Sequence, residues 1–558
     1  MLKTRIVSSL EKCFLDTPVE AFEAIAEERI FQNQKYSFQV LLAGGKEERI
    51  PVLPKIEAGE LTPYITVREV VPVSVDFPAA ADHDDGYLRD TPGLYPDLLR
   101  PLHYDGHLRL FLGQTRALWI DIAPEGALTG RFPITVKLFC DGALNYGIGG
   151  LLAEETFTVE IMPVSLPPQE LIFTQWFYAD CLADFYQVPV FSPRHWEICE
   201  NFMRTAVSGG RNMMLTPVFG YLLDTFPGRR RTHVQLVDVF LEDGRYRFGY
   251  RNLDKWLDLC KTCGVEYYEI SHLFTQWGAS FAPMVEITEN GEKKKCFGWE
   301  TDGASPEYAA FLRAFLPDFL QHMRARGEDR KCWFHLSDEP PQEHLEHYKK
   351  AKAIVADLLE GYPILDALSN YDFYAQGLVN RPVPVLQHLQ PFLENHVPDL
   401  WTYYCGGNPA GYSNAFLAMP SARTRFIGTQ FYQYDIKGFL HWGYNFYNSQ
   451  YSIEHINPYE VTDAAGAFPS GDPFLVYPGE NGQPEESLRM MVHDEAMTDL
   501  RALKLLESLT SREHVMELIE GNLPEPLTFK RYPKSDMYLI QLRDRVNREI
   551  KELTAERK

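Results

Sequence analysis

Asp338 and Glu339 are adjacent, follow the apolar run Cys332-Trp-Phe-His-Leu336 and precede Pro340-Pro341. Two carboxylates that close cannot both ionise cheaply, so one keeps its proton towards neutrality while the other stays charged: an acid beside a stabiliser. The run reads as a strand buried on both faces, entered from the charged turn Arg326-Gly-Glu-Asp-Arg-Lys331. Two prolines without backbone donors end it and leave the pair at the strand's C-terminal end, where β/α barrels keep their chemistry. Neighbours on a regular strand point to opposite faces, so the pair shares a pocket only if the pleat breaks, and the Pro-Pro step supplies the break. The competing reading is that both acids cap a helix beginning near Gln342-Glu-His-Leu-Glu346.

The elements that must hold this pair follow from the rest of the chain. Beyond Leu166-Pro-Pro-Gln169, a stiff extended boundary, short apolar runs alternate with helical patterns, the signature of β/α units. Eight strands are expected: Leu171-Phe177, Asn212-Val218, Glu266-Leu273, Cys332-Leu336, Ile364-Leu368, Val383-Val385, Leu400-Tyr404 and Phe439-Trp442. Helices are expected between them, among them Pro306-Ala325, kinked at Pro317, and His344-Leu359. Two hairpins, turning at Glu242-Asp-Gly244 and Glu289-Asn-Gly291, are expected over the barrel mouth.

The fold class is therefore multidomain: an N-terminal antiparallel β-sandwich over 1–168, a TIM-like (β/α)8 barrel over 169–483 and a C-terminal helical extension over 484–558. The sandwich rests on the runs Tyr36-Leu42, Thr66-Asp76, Ala117-Ala123, Phe132-Phe139 and Glu155-Pro163, and no chemistry is expected there. In the extension, Glu485-Ser508 and the charged Leu539-Arg557 have helical spacing, and they pack outside the barrel or join a second copy as a homodimer.

On the Asp-Glu strand's end of the barrel several groups converge. Gln175, Trp176 and Tyr178 follow the first strand, His272 and Trp277 the third, Asn370 and Tyr371 the fifth, Tyr403 and Tyr404 the seventh, Trp442 and Asn445 the eighth. Rings pack on the apolar face of a pyranose while amides and phenols orient its hydroxyls, so these are the candidate substrate contacts.

Composition fits a neutral ligand. A formal charge of −23 argues against nucleic acid and anionic membrane as partners, and 35 Phe, 30 Tyr and 9 Trp supply stacking surface. No run approaches the apolar length of a membrane span, and no export signal is read at the N-terminus. Nine cysteines, an odd number, fit reduced thiols in the cytoplasm. Cys260-Lys-Thr-Cys263 lacks a second pair, so neither a metal nor an organic cofactor is expected.

A series of motifs in order resembles glycoside hydrolase family 123 and its bacterial relatives. They are Arg89-Asp-Thr-Pro-Gly-Leu-Tyr-Pro-Asp-Leu-Leu99, Ala117-Leu-Trp-Ile-Asp-Ile-Ala123, His335-Leu-Ser-Asp-Glu-Pro340, Gly438-Phe-Leu-His-Trp442 and Ser470-Gly-Asp-Pro-Phe-Leu-Val-Tyr-Pro-Gly479. The resemblance implies a sandwich joined to an eight-stranded barrel and an exo-acting β-N-acetylgalactosaminidase that retains configuration by substrate-assisted catalysis. Carried over by motif, Asp338 orients the substrate's 2-acetamido group, whose carbonyl oxygen attacks the anomeric carbon, and Glu339 is the acid-base. No enzymic nucleophile is then needed, so the carboxylate spacing of about 5–5.5 Å in ordinary retaining enzymes does not apply. A phenol on the acetamido oxygen usually accompanies such a pair, and Tyr403, Tyr404 and Tyr371 are the candidates. The implied partner is an oligosaccharide or glycoconjugate ending in a 2-acetamido sugar. Two other readings stay open: a carbohydrate-binding or structural protein without turnover, and an ordinary two-carboxylate β-glycosidase with its nucleophile at Asp180 or Asp238.

Overall fold

The computed structural model describes residues 2–44, 49–124, 126, 128–140, 149–223, 225–227, 231–407 and 410–556. Its N-terminal runs form ten strands: β1 (Lys3–Ser8), β2 (Glu27–Phe31), β3 (Tyr36–Ala43), β4 (Arg49–Glu57), β5 (Ile65–Val75), β6 (Gly93–Pro101), β7 (Leu108–Phe111), β8 (Thr115–Ile122), β9 (Gly130–Cys140) and β10 (Gly150–Met162). They make two five-stranded sheets, ordered β1-β3-β8-β5-β6 and β2-β10-β9-β4-β7. All pairs are antiparallel except β2 with β10, which is parallel.

Alternation explains how the first sheet is covered on both faces. In β8, Leu118, Ile120 and Ile122 join Phe38, Val40 and Leu42 of β3 against the second sheet, while Ala117 and Trp119 belong to the large core that continues into the rest of the chain. Asp121 shares that second face and takes Arg68 at 2.6 Å, Ser37 Oγ at 2.8 Å and Trp119 Nε1 at 2.8 Å. A buried acid on a strand is tolerated because it is paired and hydrogen-bonded.

From residue 172 each expected strand has a counterpart: six are shorter than expected, the sixth lies two residues earlier and the eighth one residue earlier. They are β11 (Ile172–Gln175), β12 (Met213–Thr216), β15 (Tyr267–Ile270), β18 (Cys332–Phe334), β19 (Leu365–Ala367), β20 (Arg381–Val383), β21 (Trp401–Tyr403) and β22 (Gly438–His441); the hairpin strands β13 (Asp238–Glu242), β14 (Arg245–Gly249), β16 (Val285–Glu289) and β17 (Glu292–Phe297) lie between. A six-stranded parallel sheet runs β18-β15-β12-β11-β22-β21, and β19 pairs with β20 in a second parallel sheet. Parallel single-residue bridges, Phe334 to Ile364 and Val385 to Tyr403, connect the two. The two hairpins join as one sheet, β14-β13-β16-β17, and set Tyr246, Phe248 and Phe297 on Phe311 of the helix Pro306–Arg326; none of their residues lines the cavity described below.

The helices are α1 (Ala179–Phe185), α2 (Pro193–Ser208), α3 (Arg251–Cys263), α4 (Pro306–Arg326, continuing through Pro317), α5 (Leu345–Val355), α6 (Tyr371–Ala375), α7 (Gln390–Glu394), α8 (Ser421–Arg425), α9 (Ile427–Gln433), α10 (Leu488–Leu509), α11 (Arg512–Glu520) and α12 (Asp536–Ala555). Arg557, the expected end of the last helix, lies outside the described residues. Among the described residues no helix is long and apolar enough to cross a membrane.

Two ion-pair systems tie these layers together. Arg489 of α10, 1% exposed, grips Asp97 of β6 through Nε at 2.8 Å and a terminal nitrogen at 2.9 Å, and Tyr477 donates to the same carboxylate at 2.7 Å. Arg425 of α8 holds Asp499 of α10 at 2.7 and 3.0 Å and Glu495 at 2.9 Å, and Arg543 of α12 completes the cluster on Asp499. Glu28 of β2 lines a small cavity with Arg425, Glu495 and Arg543.

Burial pushes the Glu28 pKa up to about 7 against the pull of the Arg29 amide, Arg543 and Arg425. A carboxyl with a raised folded-state pKa adds stability that is full below its unfolded pKa and is lost as pH rises through the folded one. Glu28→Gln should therefore melt close to the parent near pH 4.5 and increasingly above it up to about pH 7, read as the difference in Tm. A constant difference across that window would exclude Glu28 as the titrating group.

Candidate active site

The segment after β18 is clamped on both sides by backbone. Leu273 and Phe274, after β15, donate to the carbonyls of His335 and Leu336 at 3.1 and 2.9 Å, and Trp277 N donates to Asp338 O at 2.7 Å. On the other flank, Glu339 N donates to Ala367 O of β19 at 2.9 Å. Ser337 Oγ donates to Thr275 O at 2.7 Å and accepts from Ala279 N at 3.2 Å.

Within this clamp Glu339 adopts φ +40°, in the left-handed region. A non-glycine residue there costs about 1–3 kcal/mol and persists only where its surroundings impose it. The strained step breaks the strand's alternation and brings both carboxylates to one cavity of about 290 Å³. The capping reading fails, because Pro341 and His344 occupy the N-cap positions of the turn at Gln342–His344 and of α5, and neither start has a side-chain cap.

Around the pair, Trp176, Tyr178, Trp277, Tyr403 and Trp442 line the cavity, as read from sequence. Tyr403 donates its hydroxyl to Glu339 Oε1. Trp277 is 40% exposed, at φ +60°, and His344 Nδ1 lies 2.6 Å from its carbonyl. A third carboxylate, Asp472, stands on the wall, its Oδ2 accepting from Trp442 Nε1 and Gly406 N at 2.9 Å each. Asp472 belongs to the Ser470–Gly479 motif, so its position was visible in the sequence although its place on the wall was not.

Beneath Asp338 lies a buried network that sequence reading missed. His335 faces Glu269 Oε1 at 2.6 Å and Asp366 Oδ1 at 3.2 Å. Glu269 also accepts from Trp176 Nε1 at 2.7 Å and from Thr174, and Asp366 from Leu336 N at 2.9 Å and from Tyr348. Burial works against charge on His335, yet its hydrogen bonds to Asp366 and Glu269, with their charges, raise its pKa to about 9. His335 is thus an imidazolium donating from both ring nitrogens. The available signal was an acid inside each of two otherwise apolar strand cores, Glu269 and Asp366, tolerable only if paired.

Asp338 keeps its proton far above the usual carboxylate range, first because of burial and then because of the Glu339 charge; His335 pulls weakly the other way. Asp338 is half-buried and Glu339 exposed. The arrangement favours a proton on Asp338 well above the usual carboxylate range, in a cavity walled by rings.

Six of the expected contacts are not in this cavity. Gln175 spends its amide on Gly443 O at 2.8 Å and His441 Nδ1 at 3.0 Å and accepts from Arg211 at 3.0 Å. His272 is stacked on His335 at 4.2 Å, buried, with its pKa well below the ordinary value through burial and the neighbouring imidazolium. Tyr404 turns inward to His493 Nε2 at 2.6 Å, and Asn445 pairs both amide atoms with the Tyr178 backbone at 2.9 and 3.0 Å. Asn370 and Tyr371 line a second cavity that adjoins the first. Of the alternative nucleophiles, Asp180 is fully buried in a two-point ion pair with Arg231 at 2.7 and 2.8 Å, and Asp238 begins the outlying β13. Among the described residues no group of three or more His, Cys, Asp or Glu is arranged to hold a metal ion.

Comparison with known proteins adds three findings. A family model described as the catalytic domain of glycoside hydrolase 123 matches residues 176–506. A family 123 glycoside hydrolase from Clostridium perfringens, solved for the details of glycolipid glycan hydrolysis, superposes with a TM-score of 0.71 over 99% of this chain and 97% of that one, at 15% identity. BcpA, the major pilin subunit of Bacillus cereus, overlaps 32% of this chain and 44% of its own at 12% identity with a TM-score of 0.16, too little to argue from. No curated protein matches by sequence.

Proposed function

The chain belongs to glycoside hydrolase family 123, and from that premise we propose that it is an exo-acting β-N-acetylgalactosaminidase that retains configuration through the substrate's own 2-acetamido group. The observation that carries this is the adjacent Asp338 and Glu339 in one cavity, with the proton-holding group deeper and the exposed group beside a phenol. In the proposed cycle the acetamido carbonyl oxygen attacks the anomeric carbon and closes an oxazoline ring. Asp338 accepts the acetamido N–H and balances the charge that develops on that ring. Glu339 passes its proton to the departing oxygen and later removes one from the attacking water. With the site empty the shared proton rests on Asp338; sugar binding draws it to Glu339, because the N–H requires an ionised acceptor. Tyr403 steadies Glu339 in the empty site, and in the bound one its hydroxyl serves the acetamido oxygen. Trp176, Trp277 and Trp442 give apolar faces for the pyranose, and Asp472 accepts from its hydroxyls.

The eight parallel strands are read here as a closed (β/α)8 barrel. Their neighbours follow sequence order, and the bridges at Phe334–Ile364 and Val385–Tyr403 support closure. Both carboxylates then stand at the C-terminal face, as barrel enzymes place them.

Nitrophenyl glycosides of β-GalNAc, β-GlcNAc, β-Gal and β-Glc at matched concentration test the reading. Release from the acetamido sugars alone, suppressed by a thiazoline analogue of the cyclised intermediate, is the expected result. Comparable release from β-Gal would transfer the nucleophile's part to a protein group, for which Asp472 is the remaining carboxylate on the wall. Silence on all four, with binding to the same sugars, would make this a binding protein.

A further inference from the structure

His335 follows β18 and lies between two acids from the strands on either side, Glu269 of β15 and Asp366 of β19. All three side chains are fully buried. Each acid also holds a different part of the site. Glu269 Oε1, 2.6 Å from His335 Nε2, accepts the indole N–H of Trp176 at 2.7 Å, and that ring lines the cavity. Asp366 Oδ1, 3.2 Å from His335 Nδ1, accepts from Leu336 N at 2.9 Å, and Ser337 N lies 3.4 Å from both Asp366 oxygens. These two amides immediately precede Asp338. His272 closes a further side: its ring stacks on His335, 17° from parallel, and meets Trp176 edge-on at 5.4 Å.

We infer that His335 is a positioning residue of the reaction: it ties the Trp176 wall to the turn that carries Asp338 and Glu339, and so sets where the sugar sits relative to both carboxylates. The inference rests on reading Asp338 and Glu339 as the catalytic pair. An ionised carboxylate only accepts, so a ring between two of them must donate from both nitrogens, which a neutral imidazole cannot do. Without that shared cation neither acid could stay charged in the interior. Thr174 and Tyr348 donate to the far oxygens of Glu269 and Asp366, so neither acid is free to swing away. Glu339, at φ +40°, ends this chain of bonds, and a left-handed residue persists only where its surroundings impose it. Such precision matters to the chemistry, since a misplacement of about 1 Å can cost about 10²-fold in rate.

The first measurement needs no substrate. In the parent carrying isotopically labelled histidine, magnetic resonance at neutral pH should find the His335 ring protonated on both nitrogens, its signals assigned by their shift in Glu269→Gln. A ring with one proton overturns the inference. The second compares kcat and KM for nitrophenyl β-GalNAc in the parent, Glu269→Gln, Asp366→Asn and the double variant. His335→Gln would leave one buried acid unpaired and risks not folding, so the amide variants carry the test. Each keeps the size of its acid and one acceptor oxygen, and circular dichroism checks the fold. The expected result is a fall in kcat of about tenfold or more in each with KM within about threefold, and a double variant about as slow as the slower single one, because both act through one ring. Losses that multiply, a loss confined to KM, or a parent-like kcat overturn the inference alone. No release by the parent overturns the functional reading and this role with it, and two ring protons would then mark a structural brace only.

Discussion

On the proposed cycle, Glu339→Gln lowers kcat on β-GalNAc glycosides with poor leaving groups by about 10²–10⁴-fold, the usual worth of a positioned proton donor. On a dinitrophenyl glycoside the first step needs no proton, so kcat/KM, which reports that step, falls much less, while kcat stays limited by the water step that lacks its base. Gln has the same size and inherits the same left-handed backbone, held by Ala367 and the Trp277 loop, so folding is unchanged and the effect is chemical. The pH profile separates this role from mere positioning. The parent loses activity at high pH when the pair gives up its last proton, which burial and like charge retain on Asp338 well above the ordinary carboxylate range. In the variant acting on the activated substrate only an ionised Asp338 is required, so the alkaline limb disappears and the rate reaches a plateau. Equal loss on both substrates, with the alkaline limb intact, would remove Glu339 from the acid's position.

Asp338→Asn acts differently. On the proposed cycle it removes the charge that stabilises the forming oxazoline ring, a demand that is independent of the leaving group, so activated and unactivated substrates lose alike, by about 10²–10³-fold. The loss falls on kcat rather than KM, because the interaction strengthens only as charge develops on the acetamido group. A selective loss on the unactivated substrate would instead make Asp338 the acid. An unchanged rate would exclude it from the chemistry.

Much of this architecture was legible because buried parallel strands read as short apolar runs between helical patterns, and all eight such runs became strands. The N-terminal sheets were harder. β6 carries Pro96 and begins in a turn-like sequence, but it lies at the edge of its sheet, where a missing donor costs little. In the site, two of the errors, Gln175 and Tyr404, have one geometric source. Gln175 and Trp176 are adjacent, as are Tyr403 and Tyr404, and near a strand end only one member of each pair faces the cavity. Trp176 and Tyr403 are the members that do. Composition does not distinguish them, and the register that does is set by pairing with neighbouring strands. His335 was quoted as part of a motif, but its partners Glu269 and Asp366 lie 66 and 31 residues away and meet it only in the fold.

The grip of Asp97 on Arg489 bears on how such a chain can be inherited. The family match begins at residue 176, well after Asp97, and yet Arg489 falls inside it. Arg489 also donates to the carbonyls of Gly471 and Phe474, on either side of Asp472, so a residue of β6 anchors the segment that carries one wall of the cavity. Without Asp97 the guanidinium would be a buried charge with no counter-ion, a loss of about 3–5 kcal/mol. The N-terminal sheets are therefore no interchangeable cassette: recombination that replaced them would need to deliver an acid to the same place, and lineages of this enzyme should pass both halves on together.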